Sequence, residues 1–215
     1  PSECVNISVD EVGVVHQKET GRSPEHVKKE HREYVRNTVV HIENGKNTYV
    51  LNGPGLTGVL RLIIAFLLHN NLLQTGAIVF FMDGARDLHA AIKCIFNWLP
   101  FRMILDWYHL EEKCKMQLSL ALKGKEARNQ VLQKILAFLW IGKIDDAIDV
   151  LRKIESKDIK SIAAIDRLIG YFERNREYIP CYALRKKLDL RNSSNKGEKA
   201  NDLAVSKRQK HNGTS

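Results

Sequence analysis

Asp83 closes the run AIVFFMD (residues 77–83), and GARDLH follows at once. A β-branched and aromatic run that ends on a carboxylate and then Gly predicts a buried strand delivering its acid to a sheet edge. Active sites of open α/β sheets lie at that edge. A second run, FRMIL (101–105), leads into DWYHLEEK, which places Asp106 and His109 at the start of a helix. Asp10 lies in a third apolar run, VNISVDEVGVV (5–15). If it joins the other two, the chain builds a carboxylate cluster, and carboxylate oxygens suit a hard cation such as Mg²⁺.

The elements that must position these residues can be read in order. In residues 5–17, Val5, Ile7 and Val9 mark one face of a strand and Asp10 falls on the other. A polar loop (18–32) precedes two β-type runs, 34–42 and 48–51, joined across Asn44-Gly45, a pair that tolerates positive φ and signals a hairpin. A three-strand antiparallel meander is expected. NGPG (52–55) should break the sheet, and a buried helix should start near Thr57. The Asp83 strand, a helix over about 85–98 and the Asp106 strand follow. From 108 to about 176 the pattern is helical throughout. The sets Leu118, Leu122; Val131, Ile135, Phe138, Leu139; Ile144, Ala147, Ile148, Leu151; and Ile162, Ile165, Ile169, Phe172 recur at three-to-four spacing, with breaks at Gly124, Gly142 and Ser156-Lys157. A basic crossing (178–195) then leads to a last helix (196–209), with Ser194 or Asn195 as its cap. The expected organisation is thus a core of strands and first helices (1–109), a helical insertion (110–177), and a basic crossing with a C-terminal core helix (178–215).

Composition narrows the function classes. The 215 residues carry a net charge of +9 with a pI near 9.4, which points to a polyanionic partner. Residues 185–215 hold nine Lys/Arg against three acids, +6 of that total. Cys4, Cys94, Cys114 and Cys181 form no CxxC pair. Neither a disulfide framework nor a zinc ribbon is indicated, and a reduced, cytoplasmic setting is expected. The longest apolar run, VLRLIIAFLL (59–68), contains Arg61 and falls short of the ~20 apolar residues that cross a bilayer, so no membrane partner is expected. A chain that starts on Pro1 is expected to be a fragment of a longer protein.

Three antiparallel strands, helix, strand, helix, strand, helices is the order of the ribonuclease H-like (RNase H-like) fold, an α/β class, here with an all-helical insertion before the last core helix. Four motifs then carry a resemblance: VDEVGV around Asp10, FMDGARDLH around Asp83, ILDWYHLEEK with Asp106-x-x-His109, and RNSSNKGEKANDLAVSKRQKHNG near the end. In this order, over most of the chain, they resemble DDE transposases of bacterial insertion sequences of the ISLre type, which are broadly similar to Mutator-like elements. The resemblance implies Asp10, Asp83 and Glu198 as catalytic acids that bind two Mg²⁺ or Mn²⁺ ions, with Asp106 and His109 as an accessory pair. It implies DNA cleavage and strand transfer at insertion-sequence ends, double-stranded DNA as partner, and a homo-oligomer in the bacterial cytoplasm. Arg191, Lys196, Lys199, Lys207 and Lys210 are the expected backbone contacts.

Each residue also has an ordinary reading. Asp10 can be an exposed strand acid beside Glu11. Asp83 and Asp106 can cap the helices that follow them, and His109 can be a packed first-turn histidine. Glu198 can pair with Lys199, with Asp202 one turn on as a competing ligand. Trp98, Trp107 and Trp140 read as core aromatics. A nuclease or resolvase of the same superfamily, or a truncated DNA-binding relic, would share most of these features.

Overall fold

A computed structural model describes residues 4–15, 34–74 and 76–194, with backbone alone for 11–15 and 34–36. The elements run β1 (Val5–Val15), β2 (Tyr34–Asn44), β3 (Asn47–Pro54), α1 (Leu56–His69), β4 (Ile78–Met82), α2 (Arg86–Ile95), β5 (Phe101–Leu105), α3 (Trp107–Ala121), α4 (Lys125–Trp140), α5 (Ile144–Arg152), α6 (Ile162–Arg174) and α7 (Tyr182–Lys187). The five strands form one sheet in the order β3-β2-β1-β4-β5. This mixed α/β arrangement is compatible with the RNase H-like fold expected from the sequence.

Two details of the meander differ from the sequence reading. The hairpin turns on Gly45-Lys46, one residue later than Asn44-Gly45, because Asn44 still pairs with Asn47 in the ladder. Gly45 supplies the positive φ, 57°, at the first central position, as a type II′ turn requires. NGPG does not end the sheet either: β3 continues through Pro54 opposite Asn37. Proline is tolerated there because β3 is an edge strand. Gly55, with φ 75°, then makes the corner into α1.

The chain divides into two compact units, the boundaries falling inside β4 and after Phe101. The first contains β1–β3, α1 and the end of α2. There α1 lies on the face formed by Val5, Ile7 and Val9 of β1, Val40 and Ile42 of β2, and Tyr49 and Gly53 of β3. Tyr49 meets Phe66 edge-on at 4.8 Å, and a Cβ on Gly53 would stand 3.0 Å from Val59. Val59, Leu60, Ile63 and Leu67 are the buried side of that helix.

The second unit contains residues 80–89 and 102–195. Its helices pack as α3 on α4 and α6, α4 on α5 and α7, and α5 on α6. Ile144, Ala147, Ile148 and Leu151 are all buried, as their spacing predicts. In α6 the buried set is instead Ala164, Ile165, Leu168, Tyr171 and Phe172, while Ile162 is 65% exposed. The buried stripe is thus rotated from the one the isoleucines mark. Trp107 and Trp140 join Tyr182 in an aromatic cluster with centroids 4.7–5.9 Å apart. Trp98, expected in the core, is 54% exposed and donates its indole N–H to the Ile95 carbonyl.

Candidate active site

Every residue of β4 is buried, and the next residue, Asp83, is exposed. Its Oδ1 accepts the backbone N–H of Ala85 at 2.8 Å, an Asx-type bond in the turn that leads into α2. Oδ2 has no hydrogen bond among the described residues. The bond falls ahead of α2, so Asp83 caps the turn into the helix rather than the helix itself, and one carboxylate oxygen stays open. The chain reverses at Gly84, φ 89°, and a Cβ there would lie 2.7 Å from the Tyr171 ring. Tyr171, from α6, donates its hydroxyl to the Asp83 carbonyl oxygen at 3.0 Å. Burial first, and then the negative charge of Asp83, push the Tyr171 phenol far above its ordinary range. It is a fixed proton donor to that carbonyl at any working pH.

Asp106 occupies the matching place after β5 and is fully buried. Its N–H donates to the Met82 carbonyl at 2.8 Å, beside Asp83. Its carboxylate caps α3 by accepting Tyr108 N–H at 2.8 Å, and it also accepts the Ser193 hydroxyl at 2.9 Å and the Ser194 N–H. Trp107 N–H donates to the Asn192 carbonyl at 3.0 Å, and Asn192 in turn donates its side-chain amide to the Tyr182 carbonyl. The basic crossing is thereby pinned to the head of α3. His109 is half-buried and stands edge-on to Tyr108, ring centroids 5.8 Å apart. None of the Asp106 hydrogen bonds goes to it; the carboxylate serves the crossing rather than the tautomer of His109.

Asp10 belongs to the first unit. It pairs with Val39 and lies, with Asn6 and Ser8, on the face away from α1. On β2 the same face carries His41 and Glu43, opposite Ser8 and Asn6 and both 4% exposed. Asp10 thus stands beside buried polar groups. Glu198, Lys196, Lys199, Lys207 and Lys210 lie outside the described residues, as does the expected last helix. Arg191 is half-buried, and its carbonyl accepts two bonds from the Arg185 guanidinium, at 3.1 and 2.6 Å. Among the described residues, no three His, Cys, Asp or Glu side chains gather as a metal site. No helix among them is long and apolar enough to cross a membrane.

No protein-family model and no curated protein matches this sequence. Among solved structures, the Drosophila P element transposase strand transfer complex is similar at 12% identity and a TM-score of 0.32, over 80% of this chain and 49% of that one. So slight a likeness decides neither fold nor activity. The chain spans about half the length of that protein.

Chemically, the described residues offer two acids of different kinds. Asp83 presents an open hard oxygen to solvent, which fits a divalent cation. Asp106 has its lone pairs engaged by three donors. Sequence reading missed Tyr171, Ser193 and Ser194, the residues that hold these acids. Tyr171 was hidden because it falls outside the isoleucine stripe of its helix. Ser194 was read only as a candidate cap of a later helix, and Ser193 was given no role.

Proposed function

We propose that this chain is the catalytic domain of a DDE transposase of bacterial insertion sequences, ISLre-type and broadly Mutator-like, that cleaves DNA at element ends and joins it to a target. The observation that supports this most is Asp83 itself: it is exposed at the end of the fully buried β4 and keeps one carboxylate oxygen open. Asp10, Asp83 and Glu198 hold two Mg²⁺ or Mn²⁺ ions in this reading, with Asp83 ligating through the oxygen its cap bond leaves open. When bound, such ions activate the attacking oxygen and stabilise the leaving one in an in-line displacement at phosphorus. The protein's own task is to fix the carboxylates and bind the DNA backbone. Asp106 fixes the crossing that leads to Glu198, four residues beyond Ser194. In this reading His109, in the first turn of α3, contacts the target phosphate.

The test is Asp10→Asn, Asp83→Asn and Glu198→Gln in the full-length protein. Each is expected to abolish Mg²⁺-dependent cleavage of an element end and to leave DNA binding intact. Cleavage at the wild-type rate in Asp83→Asn would reject the reading. A strand-transfer assay with a pre-cleaved end separates a transposase from a nuclease that cuts without joining.

A further inference from the structure

We propose that Tyr171 is a positioning residue for Asp83, so that the helical region, through α6, sets the geometry of the acid. This rests on the reading of Asp83 as a ligand. The turn after β4 is defined on three sides. Its strand end is held where Asp106 N–H donates to the Met82 carbonyl, 2.8 Å. Its exit is held where Asp83 Oδ1 accepts Ala85 N–H, 2.8 Å. Between these, the peptide plane joining Asp83 to Gly84 would be free to rotate, because Gly84 tolerates a wide range of backbone angles. Tyr171 removes that freedom: its hydroxyl takes the Asp83 carbonyl at 3.0 Å while its ring fills the space a Gly84 side chain would need.

The tyrosine is itself firmly seated. It is 4% exposed, and Lys113 of α3 stands over its ring, 5.6 Å from the centroid. Of the two Asp83 carboxylate oxygens, the cap bond takes one, so the peptide orientation decides where the other points. An ordinary helix start needs only the local bond to Ala85 N–H, and the bond from Tyr171 adds a second constraint on the same turn. It suits an acid whose open oxygen must be aimed, since an error of about 1 Å in a reacting site can cost roughly 100-fold in rate.

Tyr171→Phe in the full-length protein keeps the ring and removes only the hydroxyl. The unfolding midpoint should fall only by the loss of one hydrogen bond, while Mn²⁺ binding, followed by electron paramagnetic resonance of the free ion, should weaken roughly tenfold and the Mg²⁺ needed for half-maximal cleavage should rise in step. DNA binding without metal should not change. A merely structural tyrosine would lower the unfolding midpoint by the same amount and leave the metal dependence where it was, and that unmoved metal dependence overturns the proposal. Gly84→Ala moves the same turn from the other side and should shift Mn²⁺ binding in the same direction; wild-type Mn²⁺ binding in both variants also rejects it. Asp83→Asn separates the two levels: if it still cleaves DNA, the catalytic reading fails, whereas an inactive Asp83→Asn beside an unaltered Tyr171→Phe removes only the role of the tyrosine.

Discussion

Asp83 and Asp106 each follow a strand whose end is buried and each accept a backbone N–H at the entry to the next helix, yet their carboxylates end in opposite situations. Asp83 is exposed, with one acceptor oxygen used. Asp106 is fully buried and receives Tyr108 N–H, Ser193 Oγ and Ser194 N–H. Removing it takes the acceptor from three part-buried donors, and an unsatisfied buried donor costs about 1–3 kcal/mol. Asp106→Ala should therefore lower stability by about 3 kcal/mol or more in urea unfolding, and Ser193→Ala by about 1 kcal/mol, since that hydroxyl is one donor of three. Asp83→Ala forfeits little beyond a cap, about 1 kcal/mol. If Asp106→Ala unfolds at wild-type denaturant concentrations, the pin described for the crossing is not what holds it. The acids were legible in the sequence because each ends an apolar run. Their division of labour was not, because it depends on Ser193 and Ser194, 87 and 88 residues further on.

At the scale of elements, sequence periodicity located α3 to α6 but not α7, which falls inside the stretch read as a crossing, and it did not give every face. Gly124 and Gly142 mark breaks as expected, the first at the start of α4 and the second just past its end, both with positive φ. In α5 the buried residues are those the spacing selects. In α6 the chain presents apolar side chains on more than one side, and the choice is made by what the helix packs against, α3 and the Asp83 turn. Composition within one helix does not contain that information. Leu168, 0% exposed, should lose about 2–5 kcal/mol on replacement by Ala. Ile162, 65% exposed, should tolerate Ser within about 0.5 kcal/mol, although the sequence pattern ranks it as core. Equal losses at the two positions, by thermal or urea unfolding, would contradict this placement of α6. A charge contact tests how α5 meets the turn after α6. The Arg176 guanidinium donates to both Asp145 oxygens, at 2.9 and 2.7 Å, and holds that carboxyl below its usual range. A depressed carboxylate adds stability above its unfolded pKa and loses it as pH falls through the folded one. Both groups face solvent, so the visible effect is the titration itself. In Arg176→Gln the Asp145 carboxyl should titrate at higher pH by NMR, and an unmoved midpoint would mean the pair does not persist in solution.

At the scale of the whole molecule, charge is distributed in a way that no single motif conveys. Of the net +9, residues 185–215 supply +6, and Asp106 fastens the start of that stretch at Ser193 and Ser194. In the proposed reading this basic stretch has a physical use. It draws the phosphate backbone toward acids that would otherwise repel it, and it carries little sequence information. Binding should then weaken steeply with salt. Each cation that displaces a counterion contributes about −0.9 to the slope of log K against log salt on duplex DNA. Replacing Arg191, Lys196, Lys199, Lys207 and Lys210 together by Gln should flatten that slope by up to about 4.5, and by nearly the same amount on unrelated duplexes. The same change at Lys143, Lys157 and Lys160, in and around the helices distant in sequence from the crossing, should leave it unaltered. A slope that flattens by the same amount per charge removed in both sets would mean that binding follows total charge rather than the tail. A slope unchanged by the first set would move the DNA contact away from residues 191–210.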